Sequence, residues 1–335
     1  MNAPAEDALV DPRQLERCPF PMPIGWFYVD HSENLKVGEV RNVFILDQEW
    51  VLFRGEGGKV GMSDPYCPHL GAHLGHGGKV VGDNIRCTFH HWQFDSAGWC
   101  RDVPYGERTP PITKIKPILR TLPVIEKWGM IWAWYHPDGT APLWEMPSIP
   151  ELESDEYEKP RLGSWPVNTA IQEIAENGVD FAHLRFLHGN PEIPHAEWRF
   201  EDHNYYADMN HGYLVTHQSG PGLVVARFTT QGITSTMISY TQPITREKSM
   251  MRMSFTHKKY ADGSPEHKVA KHLVDHMIGD AEGEQSAGFE SVDFVVWNHK
   301  KYRAKPLLCD GDGPITQYRA WFRQFYPEGT DFSKI

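Results

Sequence analysis

The chain has 335 residues, 40% of them hydrophobic and 12% aromatic, enough to bury a large core and to divide into about two domains. A formal net charge of −11 and a pI near 5.9, with Lys and Arg nowhere clustered on the scale a phosphate backbone needs, exclude nucleic acid as a partner. No apolar run approaches the roughly 18 to 20 residues of a membrane span, and MNAPAEDALVDPRQLER lacks a charged segment followed by an apolar one, so the expected location is cytoplasmic.

In chain order, Pro19-Phe20-Pro21-Met22-Pro23 reads as a proline-stiffened arm entering a first strand at Gly25-Trp26-Phe27-Tyr28-Val29. From Val43 the runs VFIL, WVLF and KVGM alternate with turn signals at Asp47-Gln48 and Gly55-Glu56-Gly57-Gly58, which predicts short antiparallel hairpins. Next come Cys67-x-His69 and Cys87-x-x-His90, with 17 residues between the pairs. Two thiolates and two imidazoles so spaced suit a four-ligand metal centre, because each pair fits one tight loop and the spacer folds back between them. Zinc and iron–sulfur both remain open. Each pair mixes Cys with His, however, glycines flank the first loop, and Trp92-Gln93-Phe94-Asp95 follows the second. This resembles a Rieske [2Fe–2S] motif, with the two Cys on one iron and the two His on the other.

The disulfide that braces Rieske loops in respiratory complexes would fall at positions 72 and 89, where this chain has Ala72 and Phe89. The resemblance is therefore to the ferredoxin and oxygenase branch, expected at the lower end of the Rieske potential range. Cys18, Cys100 and Cys309 remain and read as free thiols, Cys100 being either a neighbour of the cluster or a plain buried thiol.

Trp128 to Tyr135 predicts a strand that closes the first domain, and the Pro-rich PDGTAPLWEMPSIPE after it places the boundary near residue 140, giving domains 1–140 and 141–335. The second half opens with Trp165-Pro166-Val167 and a helix over Ile171 to Leu187 that stops at Gly189-Asn190-Pro191. TTQGITSTMISYTQP and SMMRMSFTHKKY then alternate as broad antiparallel strands. From about Val269 to Tyr326 the spacing is helical, interrupted by Cys309-Asp310-Gly311-Asp312-Gly313.

On the predicted helix, Asp180 and His183 share a face at about 100° per residue, with Glu176 one turn before them. His183 and His188 are splayed by about 140°, so they reach one metal only if the helix loosens or ends between them. Two His with a nearby carboxylate suggest the 2-His-1-carboxylate triad of non-haem Fe(II), set against two unrelated histidines among 18.

Asn177-x-x-Asp180-x-x-His183-x4-His188 downstream of the Cys/His pairs is similar to the α subunits of Rieske non-haem iron oxygenases, a likeness spanning nearly the whole chain. The resemblance implies an α+β fold: an antiparallel β Rieske domain, then a helix-grip catalytic domain, an antiparallel sheet with helices. It implies a mononuclear iron held by His183, His188 and a downstream aspartate, for which the segment Glu290–Trp297 supplies Asp293. Asp310 and Asp312 are rivals in a Gly-rich turn where Asp is common for local reasons, and Glu290 is a lesser one. It further implies that Asn177 lies near the iron and that Asp180 bridges to a Rieske histidine, His69 or His90, of the next subunit in a head-to-tail homotrimer.

Electrons would come from NAD(P)H through a separate reductase or ferredoxin, because no G-x-G-x-x-G follows a strand here and Gly55-x-Gly57-Gly58 reads as a hairpin turn. GPGLVVARF, VWNHKKY and RAWFRQFYP look like the branch of 3-ketosteroid 9α-hydroxylase oxygenases and cholesterol 7-desaturases. That branch implies O₂-dependent hydroxylation or desaturation of a steroid or sterol; a flat polycycle needs a long apolar cavity, and the strands around Leu223 to Ile244, with Met237, Ile238 and Tyr240, are candidates to line one. The alternatives are an aromatic or other polycyclic substrate and, more distantly, a Rieske electron carrier, which would need only the first 140 residues.

Overall fold

A computed structural model of the chain describes residues 17–278, 293–333 and 335. The first part is built from eleven short strands in three sheets. Strands β2 (Val40–Ile45), β3 (Gln48–Arg54) and β4 (Val60–Ser63) pair in sequence, with β9 (Thr121–Leu122) on the β4 edge. The first hairpin turns at Leu46 and Asp47, both left-handed, one residue earlier than the sequence signal, since Gln48 already pairs with Ile45. A second meander of β5 (Lys79–Val81), β6 (Asn84–Arg86), β7 (Gln93–Phe94) and β8 (Cys100–Asp102) carries the two Cys/His loops. The third sheet sets β1 (Gly25–His31) and β10 (Val124–Lys127) on either side of β11 (Met130–Tyr135).

The second part is one eight-stranded antiparallel sheet. Its order is β12 (Arg161–Val167), β19 (Lys248–His257), β17 (Ile233–Tyr240), β16 (Leu223–Thr230), β15 (Leu214–Ser219), β14 (Asn204–Met209) and β13 (Ala196–Glu201), with β18 (Gln242–Thr245) also on β19. The run TTQGITSTMISYTQP is not one strand. Gln231 and Gly232 take positive φ and turn β16 back into β17. Beyond a single helical turn, α1 (Pro150–Glu153), the helices are α2 (Ile171–Ala175), α3 (Phe181–Phe186), α4 (Pro265–Ile278), α5 (Asp293–His299) and α6 (Ile315–Phe322).

The helix predicted over Ile171 to Leu187 is broken. After α2 the chain tightens into a 3₁₀ turn at Glu176–Val179, leaves helical geometry at Asp180 (φ −85°, ψ 85°) and restarts as α3. Asp180 is the N-cap of α3, its carboxylate accepting the His183 backbone N–H at 3.3 Å, so it does not share a helix face with His183. Glu176 also points elsewhere, gripping the Arg319 guanidinium at 2.7 and 2.8 Å. The expected helical character from Val269 onward is interrupted between α5 and α6, where Gly313 (φ +76°) sits so close to the 3₁₀ turn that a Cβ would lie 2.2 Å from the Val179 carbonyl.

Alternation along β16 and β17 gives the eight-stranded sheet two apolar faces. Leu223, Val225, Ile238 and Tyr240 pack against Trp26, Tyr28, Trp132 and Trp134 of the β1–β11 sheet, whose other face meets Trp50, Leu52 and Met62. Val224, Ala226, Met237 and Ser239 face the opposite way, into a cavity roofed by α2, α3 and α5. Ile238 and Tyr240 are therefore core and not pocket, because a period-two strand cannot turn neighbours to one side. Among the described residues no helix is long and apolar enough to cross a membrane.

Candidate metal centres and cavity

The two Cys/His loops close alike. Cys67 donates its backbone N–H to Ala72 and Cys87 donates to Trp92, at 2.9 and 2.8 Å. Left-handed residues, Gly71 in one loop and His91 in the other, make the tight return possible. The thiols point inward, both Cys buried among Val51, Phe53, Leu74 and Ile85. His69 and His90 stand outward with ring centroids 4.8 Å apart, and Trp92 stacks on His69 while donating its indole N–H to the Tyr105 hydroxyl at 2.9 Å. Burial pushes the Cys67 thiol up to about 11, with the neighbouring Cys87 adding to the rise. A thiol so raised ionises readily only beside a cation, and two inward sulfurs with two outward imidazoles fit a [2Fe–2S] cluster.

Around these rings Leu70, Phe89, Tyr66 and Tyr105 are exposed, a collar of apolar surface at the histidine end. All five cysteines are free; Cys100 is half-buried against the group that contains Cys67 and Cys87, and burial raises its thiol.

Among the described residues, one group of His, Cys and carboxylate side chains converges as a metal site: His183, His188 and Asp293, with donor atoms all within 4.8 Å of one another. α3 ends at Phe186, so His188 lies beyond the helix and swings back toward His183, their rings 5.2 Å apart. The His183 Nδ1–H donates a hydrogen bond to the Asp180 carbonyl, which leaves Nε2 for a metal. Asp293, at the start of α5, is 3% exposed; its Oδ1 accepts from the Asn177 amide at 3.0 Å and its Oδ2 lies 3.1 Å from the His188 Nε2. Two imidazoles with one buried carboxylate suit a non-haem iron with open positions.

Asp312 instead accepts the Cys309 backbone N–H within its own turn at 2.7 Å, and Asp310 is exposed. Glu290 lies outside the described residues. No hydrogen bond or ring contact joins the Cys/His loops to this triad among the described residues.

The triad forms part of the wall of a cavity of about 540 Å³, within the range of small-molecule sites. Its walls are mainly apolar, from Leu184, Leu187, Leu214, Phe228, Met237 and Trp297. Sequence reasoning found Met237 but missed Tyr205, Leu214, Met251, Leu273 and Trp297, whose orientation depends on strand register and helix placement. Two polar side chains at the cavity are already engaged: the Tyr205 hydroxyl donates to the Gly178 carbonyl at 3.0 Å, and Gln218 donates to Gly220 and accepts from Tyr318.

Residues 25–123 match the Rieske [2Fe–2S] domain family and residues 133–326 match the 3-ketosteroid 9alpha-hydroxylase C-terminal domain. The cholesterol 7-desaturase of Xenopus laevis is 32% identical over 345 residues, covering 91% of this chain and 72% of the relative. The cholesterol 7-desaturase of Caenorhabditis elegans is 32% identical, covering 95% and 82%. The 3-ketosteroid-9-alpha-monooxygenase oxygenase component of Rhodococcus rhodochrous is 27% identical, covering 92% and 84%. The crystal structure of dicamba monooxygenase bound to dicamba aligns with a TM-score of 0.64 at 18% identity, covering 91% of this chain and 97% of that one, a likeness of fold.

Proposed function

The chain belongs to the Rieske non-haem iron oxygenases, in the group defined by the 3-ketosteroid 9α-hydroxylase C-terminal domain, and on that premise we propose that it hydroxylates or desaturates a steroid or sterol. One observation carries the reading: the donors of His183, His188 and Asp293 meet within 4.8 Å at the wall of an apolar cavity of about 540 Å³. The names of the relatives, which act on cholesterol and on a 3-ketosteroid, support the substrate class.

In this reading Cys67, His69, Cys87 and His90 hold the [2Fe–2S] cluster, and His183, His188 and Asp293 hold the mononuclear iron. Iron bound there would supply O₂ chemistry, and a cluster held by the Cys/His loops would supply one-electron chemistry. Asn177 fixes one oxygen of Asp293, and the Asp180 carbonyl fixes the ring of His183, so both ligands are held before substrate arrives. The apolar walls exclude water and orient the ring system. In this reading Asp180 links the iron to a Rieske histidine of a neighbouring subunit in a head-to-tail homotrimer, and the exposed Leu70, Phe89 and Tyr105 are the surface that meets that neighbour. A separate NAD(P)H-dependent reductase or ferredoxin delivers the electrons, and the protein works in the cytoplasm. The division between the two functional units falls near residue 140.

The test is turnover of sterols, ketosteroids and simple arenes with a surrogate reductase, reading O₂ uptake against product, alongside metal analysis. About three irons and two acid-labile sulfides per chain are expected. Two of each, without product, would leave only an electron carrier, and zinc alone would sink both sites.

A further inference from the structure

Three hydroxyls in the cavity wall, on Thr216, Ser239 and Thr241, belong to residues each only 5% exposed. Among the described residues none of the three hydroxyls has a hydrogen-bond partner, whereas the neighbouring Gln218 and Tyr205 have theirs. A hydroxyl at a cavity wall with no partner in the protein is free to pair with a group on a bound ligand.

Ser239 and Thr241 are successive same-face positions of one strand run, about 7 Å apart along it, close enough for both hydroxyls to flank one ligand oxygen. Thr216 stands two strands away, in a row with Ala226 and Met237. Thr241 lies beside Ile171, at the opposite end of α2 and its 3₁₀ turn from Asp180 and α3. A Cβ on Gly222 would touch both the Thr241 carbonyl and Ile171, which begins α2, and α2 with its 3₁₀ turn rises on the order of 15 Å before reaching Asp180. Among the described residues the lining has no Lys or Arg, so nothing there compensates a carboxylate or sulfate.

We propose that Ser239 and Thr241 together recognise an uncharged oxygen, a ketone or a hydroxyl, at the end of a polycyclic substrate farthest from His183 and His188, and that the cavity rejects ring systems bearing a carboxylate or sulfate. The identity of the polycycle as a steroid rests on the function proposed above. A hydroxyl both donates and accepts, so the same pair takes a ketone as acceptor or an alcohol in either sense. Fixing the far end sets which carbon lies beside the metal, which makes these two side chains positioning residues.

The test uses the metal-loaded enzyme and four steroids: a 3-oxo compound, its 3-hydroxy and 3-deoxy counterparts, and a steroid carboxylate. Dissociation constants, kcat, KM and product position are compared for wild type, Ser239→Ala, Thr241→Val, the double variant and Thr216→Val. Wild type is expected to bind the oxygenated pair at least about tenfold more tightly than the deoxy compound and to bind the carboxylate poorly. The double variant should lose that preference, raise KM more than it lowers kcat, and spread the product over several positions, with Ser239→Thr recovering the wild-type pattern. Preference retained in the double variant, an equal loss in Thr216→Val, or tight binding of the carboxylate would each overturn the assignment. If wild type oxidises no steroid but shows the same variant-sensitive preference on another neutral oxygenated polycycle, the steroid reading falls and the anchor stands.

Discussion

The two Cys/His loops and the group of His183, His188 and Asp293 each bring metal-binding donors together, by opposite means. Cys67, His69, Cys87 and His90 lie within one short stretch, and each loop closes through a backbone hydrogen bond across five residues. The triad draws on residues far apart in sequence; Asn177 and Asp293, joined by a 3.0 Å hydrogen bond, are separated by 116 positions. A site built locally survives damage elsewhere in the fold, whereas one built from distant elements depends on everything that places them.

That contrast can be broken by selective loss. Asp293→Ala is expected to abolish turnover and remove the mononuclear iron while the visible spectrum of the cluster persists; unchanged iron content would hand the ligand role to another carboxylate. Asp180→Asn preserves the N-cap, since Asn caps as well as Asp, and removes only the charge. Both metals should stay bound and turnover should nearly vanish, so a variant with normal turnover would refute the bridge to a neighbouring subunit. Trp132→Ala, in the sheet that backs the cavity, should cost about 3–5 kcal/mol in denaturant unfolding. Because the cluster loops are local, their spectrum should outlast iron binding as denaturant rises; simultaneous loss would erase the distinction. Asn177→Ala should be mildest, with roughly a 10–100-fold loss of iron affinity measured by chelator competition, and no change in the cluster spectrum.

The same contrast explains what was legible. The Cys/His loops could be read because their chemistry and their spacing lie together in the chain. His183 and His188 were legible as a pair that needed a helix end between them, which Phe186 provides. The break at Asp180 was not foreseen, although Gly178 and an Asp three residues before His183 are both signals of a helix restarting. Periodicity treated Ile171 to Leu187 as one helix because the local cost of a break is small and tertiary contacts, here Gly313 pressed against Val179, decide it. The sheet was legible as alternation, but Ile238 and Tyr240 were placed on the wrong face. Which parity faces the cavity depends on what packs behind the sheet, and the tryptophans that do so, Trp132 and Trp134, come from strand β11 about a hundred residues earlier.

That parity constrains how the protein can change. Along β16 and β17 one residue set lines the cavity and the interleaved set meets the tryptophan sheet. A point substitution at Val224, Ala226, Met237 or Ser239 can reshape the cavity without touching the seam between the two units. A single-residue insertion in either strand would exchange the sets, exposing cavity residues to the tryptophans and core residues to the ligand. New substrate range is therefore open to replacement in these strands and closed to changes in their length, so diversity in length should concentrate in the turns, such as Gln231-Gly232, where nothing alternates.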